Sequence, residues 1–309
     1  MDPVTNAKTL VGSGTGARIE RILCPVDFSE VSLTAYRYAE SIAGRCRATL
    51  IVQHIIELFQ HVSACYCPSE PVFEEFREKL IADGRSELQR FVNAPGSIQP
   101  ECIVQGSIAA ADGILSLARA RAISLIVLGT HGRRGFDHLM LGSVTERVLR
   151  HASCPVLTVR QAASRSGKQG AADEPVSIRR ILCCIDFSAH SRRALEYSLS
   201  VAAAYDAEVT LLHVLDGIPD SADVGKETAA AIASMEELFP PDAPRSPKTH
   251  LQVRLGKAYK EILQSASEAR SDLIVTGVRG RQSLDLAVFG STTYRVIQLG
   301  PGPVLTVPI

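Results

Sequence analysis

Short runs of consecutive apolar residues alternate along this chain with longer segments in which apolar residues recur every three or four positions. In the N-terminal half the short runs predict strands at 20–26, 48–55, 101–105, 124–129 and 155–159. The segments between them predict helices at 30–44, 72–92, 109–121 and 143–151. Runs without polar alternation are typical of parallel strands that are buried on both faces. The pattern therefore predicts an α/β fold with an open, doubly wound sheet.

The chain carries this pattern twice. Residues 21–29 read Arg-Ile-Leu-Cys-Pro-Val-Asp-Phe-Ser, and residues 180–188 read Arg-Ile-Leu-Cys-Cys-Ile-Asp-Phe-Ser. A repeat of this length indicates duplicated domains rather than a solenoid. We expect one domain at 19–160 and a second at 178–309. The segments outside them lack apolar periodicity and predict a disordered leader at 1–18 and a flexible linker at 161–177.

Composition and charge exclude several classes of partner. The chain has 309 residues, with 33 Lys and Arg against 33 Asp and Glu, so its formal net charge is zero. This balance does not favour a basic surface for nucleic acid. The N-terminal sequence has no apolar core of secretory type, and no apolar run approaches the ~18–20 residues that cross a bilayer. We therefore predict a cytoplasmic protein without a membrane partner, in which the 8 cysteines are free thiols.

A glycine motif follows the fourth strand in each half. Both copies read G-x2-G-x9-G-S, at Gly129, Gly132, Gly142 and Ser143 and at Gly277, Gly280, Gly290 and Ser291. Glycine lets backbone N–H groups approach an anion without a Cβ atom in the way. The last glycine and the serine open a helix, whose free N–H groups and dipole favour phosphate. The alternative is that these glycines serve only tight packing turns and were copied by duplication.

These residues resemble the universal stress protein family. The resemblance rests on Asp-Phe-Ser after the first strand, the mid-sheet His54, Gly-Thr-His-Gly at 129–132 and Leu-Gly-Ser-Val-Thr-Glu-Arg-Val at 141–148, and it covers about 19–160 and 178–309. It implies two tandem domains, each a five-stranded parallel sheet in the order 3-2-1-4-5 with helices on both faces. It also implies one ATP site per domain, in a nucleotide-dependent regulatory module of the stress response.

The resemblance further implies a role for individual residues. Asp27 and Asp186 would contact the ribose, and the backbones of Ile55 and Val214 would contact adenine. The phosphates would be held by Gly129, Gly132, Gly142, Ser143 and Val144 in the first copy and by Gly277, Gly280, Gly290, Ser291 and Thr292 in the second. Mg²⁺ would bridge phosphate oxygens, since the sequence contains no dedicated cage of carboxylates.

Two other functions stay open. A slow ATP hydrolase would need a positioned water, and no convincing general base is visible, so enzymatic activity is undecided and no catalytic residue is assigned. The third possibility is a scaffold that works by protein contact without nucleotide. Arg279 in the second copy stands where the first has His131, so we expect unequal sites.

The remaining candidates concern assembly and metal. By the resemblance, the strands at 155–159 and 303–307 would pair within the chain as a pseudo-dimer, and a homodimer of whole chains is left open. His61, Cys65 and Cys67 have a spacing that could contribute to a zinc site, although polar-loop cysteines without metal are favoured. His54 and His213 lie in apolar runs and are interpreted as hydrogen-bonded core histidines rather than catalytic groups.

Overall fold

The chain forms two compact units. A computed structural model describes residues 4–6, 17–57, 70–92, 98–131, 141–160, 175–217, 223–239, 248–278 and 290–308. One unit, here domain 1, comprises Ile19–Pro175, and the other, domain 2, comprises Val176–Ile309 together with Met1–Arg18. Most of the expected linker lies outside the described residues.

Domain 1 is a five-stranded parallel sheet with four described helices. Its strands are β2 (Arg21–Val26), β3 (Thr49–Glu57), β4 (Glu101–Ser107), β5 (Leu125–Gly129) and β6 (Val156–Val159). Its helices are α1 (Glu30–Cys46), α2 (Glu70–Val92), α3 (Ala110–Ala120) and α4 (Ser143–His151). The strands lie in the order β4-β3-β2-β5-β6. This is the expected 3-2-1-4-5 order, and each element lies within a few residues of its predicted position.

Domain 2 repeats this arrangement. Its parallel strands are β7 (Arg180–Ile185), β8 (Glu208–Leu215), β9 (Thr249–Leu255), β10 (Leu273–Gly277) and β11 (Val304–Val307), in the order β9-β8-β7-β10-β11. Its described helices are α5 (Ala189–Tyr205), α6 (Val224–Glu236), α7 (Ala258–Glu268) and α8 (Ser291–Leu299). The predicted α/β class and the duplication are therefore confirmed.

The N-terminal segment differs from the expected disordered leader. Residues Val4–Asn6 form a short strand, β1, that pairs antiparallel with the outer edge of β9, with Val4 opposite Val253 and Asn6 opposite Leu251. An edge strand carries backbone N–H and C=O groups that can pair with another extended segment, and Val and Thr favour the extended conformation. The leader therefore contains a strand that its polar composition did not reveal.

Helices cover both faces of the sheet in domain 1. A methyl group at Gly84 of α2 would lie 3.5 Å from Cδ2 of His54, whereas one at Gly113 of α3 would lie 2.8 Å from Cδ1 of Ile55. His54 and Ile55 are consecutive in β3, so their side chains point to opposite faces. The strand cores are buried accordingly, and Leu125 and Ile126 are at most 1% exposed.

Helix α1 of domain 1 carries two polar side chains, Tyr36 and Glu40, at positions where domain 2 has leucine. The hydroxyl of Tyr36 and Oε1 of Glu40 are both buried, and neither has a hydrogen-bond partner among the described residues. The corresponding positions of α5 are Leu195 and Leu199. Burial raises the pKa of Glu40, against a smaller lowering by Arg37. Domain 1 therefore contains polar atoms whose desolvation is uncompensated.

Glu40→Leu is expected to stabilise domain 1 by about 1 kcal/mol at pH 7, because it removes a buried carboxylate oxygen without a partner. A carboxyl whose pKa is raised by folding binds its proton more tightly in the native state. The wild type therefore loses stability as the pH rises above the unfolded pKa, and the gain in Glu40→Leu should be larger at pH 7 than at pH 4. Differential scanning calorimetry of the full chain at both pH values measures this gain.

The matched control is Glu196→Leu on the exposed side of α5, which should change stability by less than about 0.5 kcal/mol. A gain in Glu40→Leu that is equal at the two pH values would contradict the raised pKa of Glu40 in the folded protein.

Candidate functional site

The strand order creates a crevice at the carboxyl edge of each sheet. In domain 1, β2 is flanked by β3 and β5, and the connections from β2 and β5 leave in opposite directions, which is where open α/β sheets bind ligands. Asp27 directly follows β2, and Gly129 is the last residue of β5. In domain 2, Asp186 follows β7 and Gly277 ends β10. The predicted carboxylate and the first predicted glycine therefore lie at one edge in each domain.

A serine holds each of these aspartates in place. Asp27 Oδ1 accepts hydrogen bonds from the backbone N–H of Ser29 at 3.1 Å and from its hydroxyl at 2.6 Å. The corresponding distances from Ser188 to Asp186 Oδ1 are 3.0 and 2.5 Å. The same serines cap α1 and α5, because their Oγ atoms accept from the N–H of Ser32 and Ser191. Ser29 and Ser188 are therefore the N-caps of these two helices.

The hydrogen bonds also determine the charge of Asp186. Burial alone would raise the pKa of this carboxyl, but hydrogen bonds from Ser188 and Ser191 outweigh it and lower the pKa below its usual value. Asp186 is therefore an anion at neutral pH. An anionic carboxylate at this edge can accept hydrogen bonds from hydroxyl groups of a ligand.

The first glycine of each motif is required by packing inside its own domain. A methyl group at Gly129 would lie 2.6 Å from Cγ1 of Val31, on the first turn of α1. At Gly277 it would lie 2.6 Å from the carbonyl carbon of His190, on the first turn of α5. The packing interpretation left open by the sequence therefore explains these two glycines without a ligand.

The last glycine of each motif has a different environment. Gly142 and Gly290 are the N-cap residues of α4 and α8, and neither helix has a side-chain cap. A methyl group at Gly290 would meet no atom of the described residues within 4 Å, and one at Gly142 would lie 3.2 Å from the carbonyl oxygen of Thr130. Packing among the described residues therefore does not require glycine at position 290.

The first-turn N–H groups of α4 and α8 have a feature in common. Over the described ranges, no backbone or side-chain oxygen accepts from the N–H groups of residues 143–145 or 291–293. The neighbouring helices are different, because Oε1 of Glu57 accepts from the first N–H of α3 at 2.9 Å and Oδ2 of Asp216 accepts from that of α7 at 3.1 Å. An anion at the start of α4 or α8 would satisfy these donors.

The two domains differ in how the last glycine is held. In domain 1 the N–H of Gly142 donates to the carbonyl oxygen of Thr130 at 2.8 Å. The hydroxyl of Thr145 donates to the carbonyl oxygen of Gly129 at 2.7 Å. Neither bond has a counterpart between the equivalent described residues of domain 2. The described backbone around the motif therefore differs between the two domains.

The other predicted contacts lie at the same edge or outside the described residues. The register pairs β2 with β3 as far as His54, and β7 with β8 as far as His213, so Ile55 and Val214 are the first residues beyond these pairings. Ser143 and Val144 are in the first turn of α4, and Ser291 and Thr292 are in that of α8. Six residues named in the sequence predictions lie outside the described part of the chain: Gly132, Gly280, Arg279, His61, Cys65 and Cys67.

The described part of the chain contains no group of three or more His, Cys, Asp or Glu side chains placed to hold a metal ion. No helix there combines the length and apolar character needed to cross a bilayer.

Both halves of the chain match the sequence model of one protein family. The model of the universal stress protein family matches residues 18–160 and 177–308. The chain belongs to the universal stress protein family. The two matched regions coincide with the two expected domains within a few residues, so the family resemblance and the tandem arrangement are confirmed.

Individual relatives agree with this membership. A universal stress protein of Methanocaldococcus jannaschii is 32% identical over 146 residues, which cover 46% of this chain and 82% of the relative. A universal stress protein of Mycolicibacterium smegmatis is 25% identical over 307 residues, which cover 93% of this chain and 96% of the relative. The crystal structure of a universal stress protein from Archaeoglobus fulgidus superimposes with a TM-score of 0.59 at 21% identity, covering 93% of this chain and 98% of that chain. This likeness supports the two-domain α/β fold.

Sequence reasoning missed one feature of the site. Phe28 and Phe187, directly after the two aspartates, have φ angles of 65° and 62°. This left-handed region is uncommon for a bulky aromatic residue. Neither an aromatic residue after a strand nor an Asp-x-Ser turn indicates a positive φ by itself. The conformation is therefore determined by the folded environment.

Proposed function

We propose that each domain binds ATP at its carboxyl edge and that this universal stress protein acts as a nucleotide-dependent regulatory module. The observation that carries the proposal is the start of α4 and α8, where a glycine N-cap precedes backbone N–H groups that no described oxygen accepts. A helix start with unsatisfied donors attracts phosphate through its hydrogen bonds and its dipole.

The other residues at this edge suit the rest of the nucleotide. In domain 1, Ser143 and the N–H groups of residues 143–145 would hold the phosphates, and Asp27 would accept from ribose hydroxyls. The backbone of Ile55 lies past the end of β2 and would contact adenine. The counterparts in domain 2 are Ser291, Asp186 and Val214. Bound Mg²⁺ would neutralise phosphate charge, with water and phosphate oxygens as its ligands.

Regulation would follow from occupancy. A nucleotide bound between Asp27, directly after β2, and the start of α4 would link these two elements and so favour one arrangement of domain 1. At a concentration of about 100 times its Kd, such a ligand stabilises the folded state by about 2.7 kcal/mol. A cytoplasmic protein partner would respond to this change.

The test is the nucleotide content of the purified full-length protein. We expect the protein, denatured without added ligand, to release adenine nucleotide that chromatography identifies, at close to two molecules per chain. Gly142→Val and Gly290→Val should each remove about one of them, because a side chain at the N-cap blocks the approach of phosphate to the helix start. With nucleotide removed from both proteins, the unfolding midpoint of Gly290→Val should be close to that of the wild type, since a side chain here meets no described atom within 4 Å.

Each result separates the proposal from its alternatives. Release of ATP with one molecule lost per variant supports two binding sites with slow or absent hydrolysis. Release of ADP supports the slow hydrolase instead. No released nucleotide, together with no shift of the unfolding midpoint on adding Mg-ATP, would refute nucleotide binding and leave the scaffold.

A further inference from the structure

One histidine contacts the residues on both sides of each predicted ribose-binding aspartate. In domain 1 the Nδ1–H of His54 donates to the carbonyl oxygen of Val26 at 2.9 Å, and its ring centroid lies 4.3 Å from that of Phe28. Val26 precedes Asp27 and Phe28 follows it, so a single imidazole supports the backbone before and after the carboxylate.

Domain 2 repeats the arrangement. The Nδ1–H of His213 donates to the carbonyl oxygen of Ile185 at 2.8 Å, and its ring centroid lies 4.7 Å from that of Phe187. The strands that carry the two histidines end in different sequences, Ile-Ile-Glu in β3 and Val-Leu in β8. The imidazole, the phenyl ring and the aspartate are nevertheless in the same relation in both copies.

The phenylalanine between these contacts has an unfavourable backbone. Phe28 and Phe187 adopt the left-handed conformation, with φ near 65° and 62°. A non-glycine residue keeps such a conformation only where its surroundings hold it, and this kind of strain clusters at ligand sites. Here the ring rests on the imidazole, and the following serine is fastened to the aspartate by two hydrogen bonds.

We propose that His54 and His213 are positioning residues of the nucleotide sites. Each imidazole holds the left-handed Asp-Phe-Ser turn from the sheet side, and the turn directs the carboxylate of Asp27 or Asp186 toward the ribose. The histidines do not touch the nucleotide and do not exchange a proton with it. The inference rests on the proposed function, because the ribose contact is part of that proposal.

The two contacts of the histidine can be removed separately. His54→Phe keeps an aromatic ring beside Phe28 and loses the Nδ1–H donor, whereas His54→Asn keeps an N–H donor in a similar position and loses the ring. A matched control is His151→Asn, because Nδ1 of His151 also bonds a backbone carbonyl, that of Arg147 at 2.8 Å, but at the far end of α4.

The experiment measures affinity for Mg-ATP and for 2′,3′-dideoxy-ATP by calorimetry on the full chain. All proteins carry Gly290→Val, so that only nucleotide binding to domain 1 is measured. The background protein, which carries Gly290→Val alone, should prefer ATP to the dideoxy analogue, because the analogue lacks both ribose hydroxyls. His54→Phe and His54→Asn should each weaken ATP binding by about tenfold, as expected for the loss of a hydrogen bond to a charged group. Their affinity for the analogue and that of His151→Asn for both ligands should be unchanged.

A structural role alone would give a different pattern. It would lower the unfolding midpoint, or weaken both ligands equally, without changing their ratio. A further variant, Asp27→Asn with His54→Phe, should bind ATP no more weakly than Asp27→Asn alone, because both changes act on one contact. If His54→Phe fails to fold, Phe28→Leu tests the same turn and should also reduce the preference for ATP.

The outcomes separate this inference from the proposed function. Absence of ATP binding in the background protein would overturn both. Binding without preference for ATP over the analogue would overturn the ribose contact and, with it, the positioning role. A preserved preference in folded His54→Phe, His54→Asn and Phe28→Leu would overturn the positioning role alone.

Discussion

Gly277→Ala is expected to destabilise domain 2 by about 3 kcal/mol, because the added methyl group cannot be accommodated by a side-chain movement. It would lie 2.6 Å from the carbonyl carbon and 2.8 Å from the carbonyl oxygen of His190, and 2.7 Å from the backbone nitrogen of Ser191. All three atoms belong to the first turn of α5, so the whole helix must move away from β10. The transition of domain 2 in differential scanning calorimetry measures the loss.

The control for this variant lies in the same motif. Gly290→Ala adds a methyl group that meets no described atom within 4 Å, and the φ of −48° at this residue is accessible to alanine. The stability of the nucleotide-free protein should therefore change by less than about 0.5 kcal/mol. Equal stability losses in Gly277→Ala and Gly290→Ala would contradict the separation of a packing glycine from a ligand-facing glycine.

Gly129→Ala is expected to destabilise domain 1 by about 2 kcal/mol, and Val31→Ala in the same chain should recover much of this loss. The methyl group would lie 2.6 Å from Cγ1 of Val31, which is a side-chain atom that truncation to alanine removes. The carbonyl oxygen of His131 at 3.3 Å remains and limits the recovery. A double-mutant cycle, with calorimetry of the four proteins, gives the coupling energy.

The same cycle in domain 2 provides the comparison. His190→Ala should not rescue Gly277→Ala, because the clash there is with backbone atoms that every residue at position 190 retains. Rescue in domain 2, or additive losses in domain 1, would show that the added methyl groups are accommodated in some other way.

Together these variants distinguish the glycines that packing requires from those that ligand binding requires. Its first glycine is explained by the approach of a helix to a strand end, which any member of the fold with this spacing would need. Its last glycine, at the start of α4 or α8, is followed by donors without acceptors among the described residues. Loss of nucleotide in variants of the last glycine, without loss of stability in the nucleotide-free proteins, is therefore the sharper sign of function.

Much of the fold could be predicted from local pattern. Continuous apolar runs such as 125–129 can be buried only between two layers of helices, and the observed β5 covers these residues. Ser29 and Ser188 were predictable as N-caps, because an N-cap acts on N–H groups within the next three residues. The duplication was also readable, since each copy repeats the same residues at the same strand ends.

Contacts between residues distant in sequence were decided only by the tertiary structure. The sequence alone could not separate Gly277, packed against His190, from Gly290, which has no described neighbour within reach of an added methyl group, because both belong to one motif and differ only in what the fold brings near them. It predicted hydrogen-bonded core histidines, but only the pairing of β3 with β2 shows that His54 supports the turn at Asp27. The strand at Val4–Asn6 likewise depends on the edge of β9, far along the chain. Periodicity and capping act within a few residues, whereas packing and edge pairing depend on which surfaces the completed sheet presents.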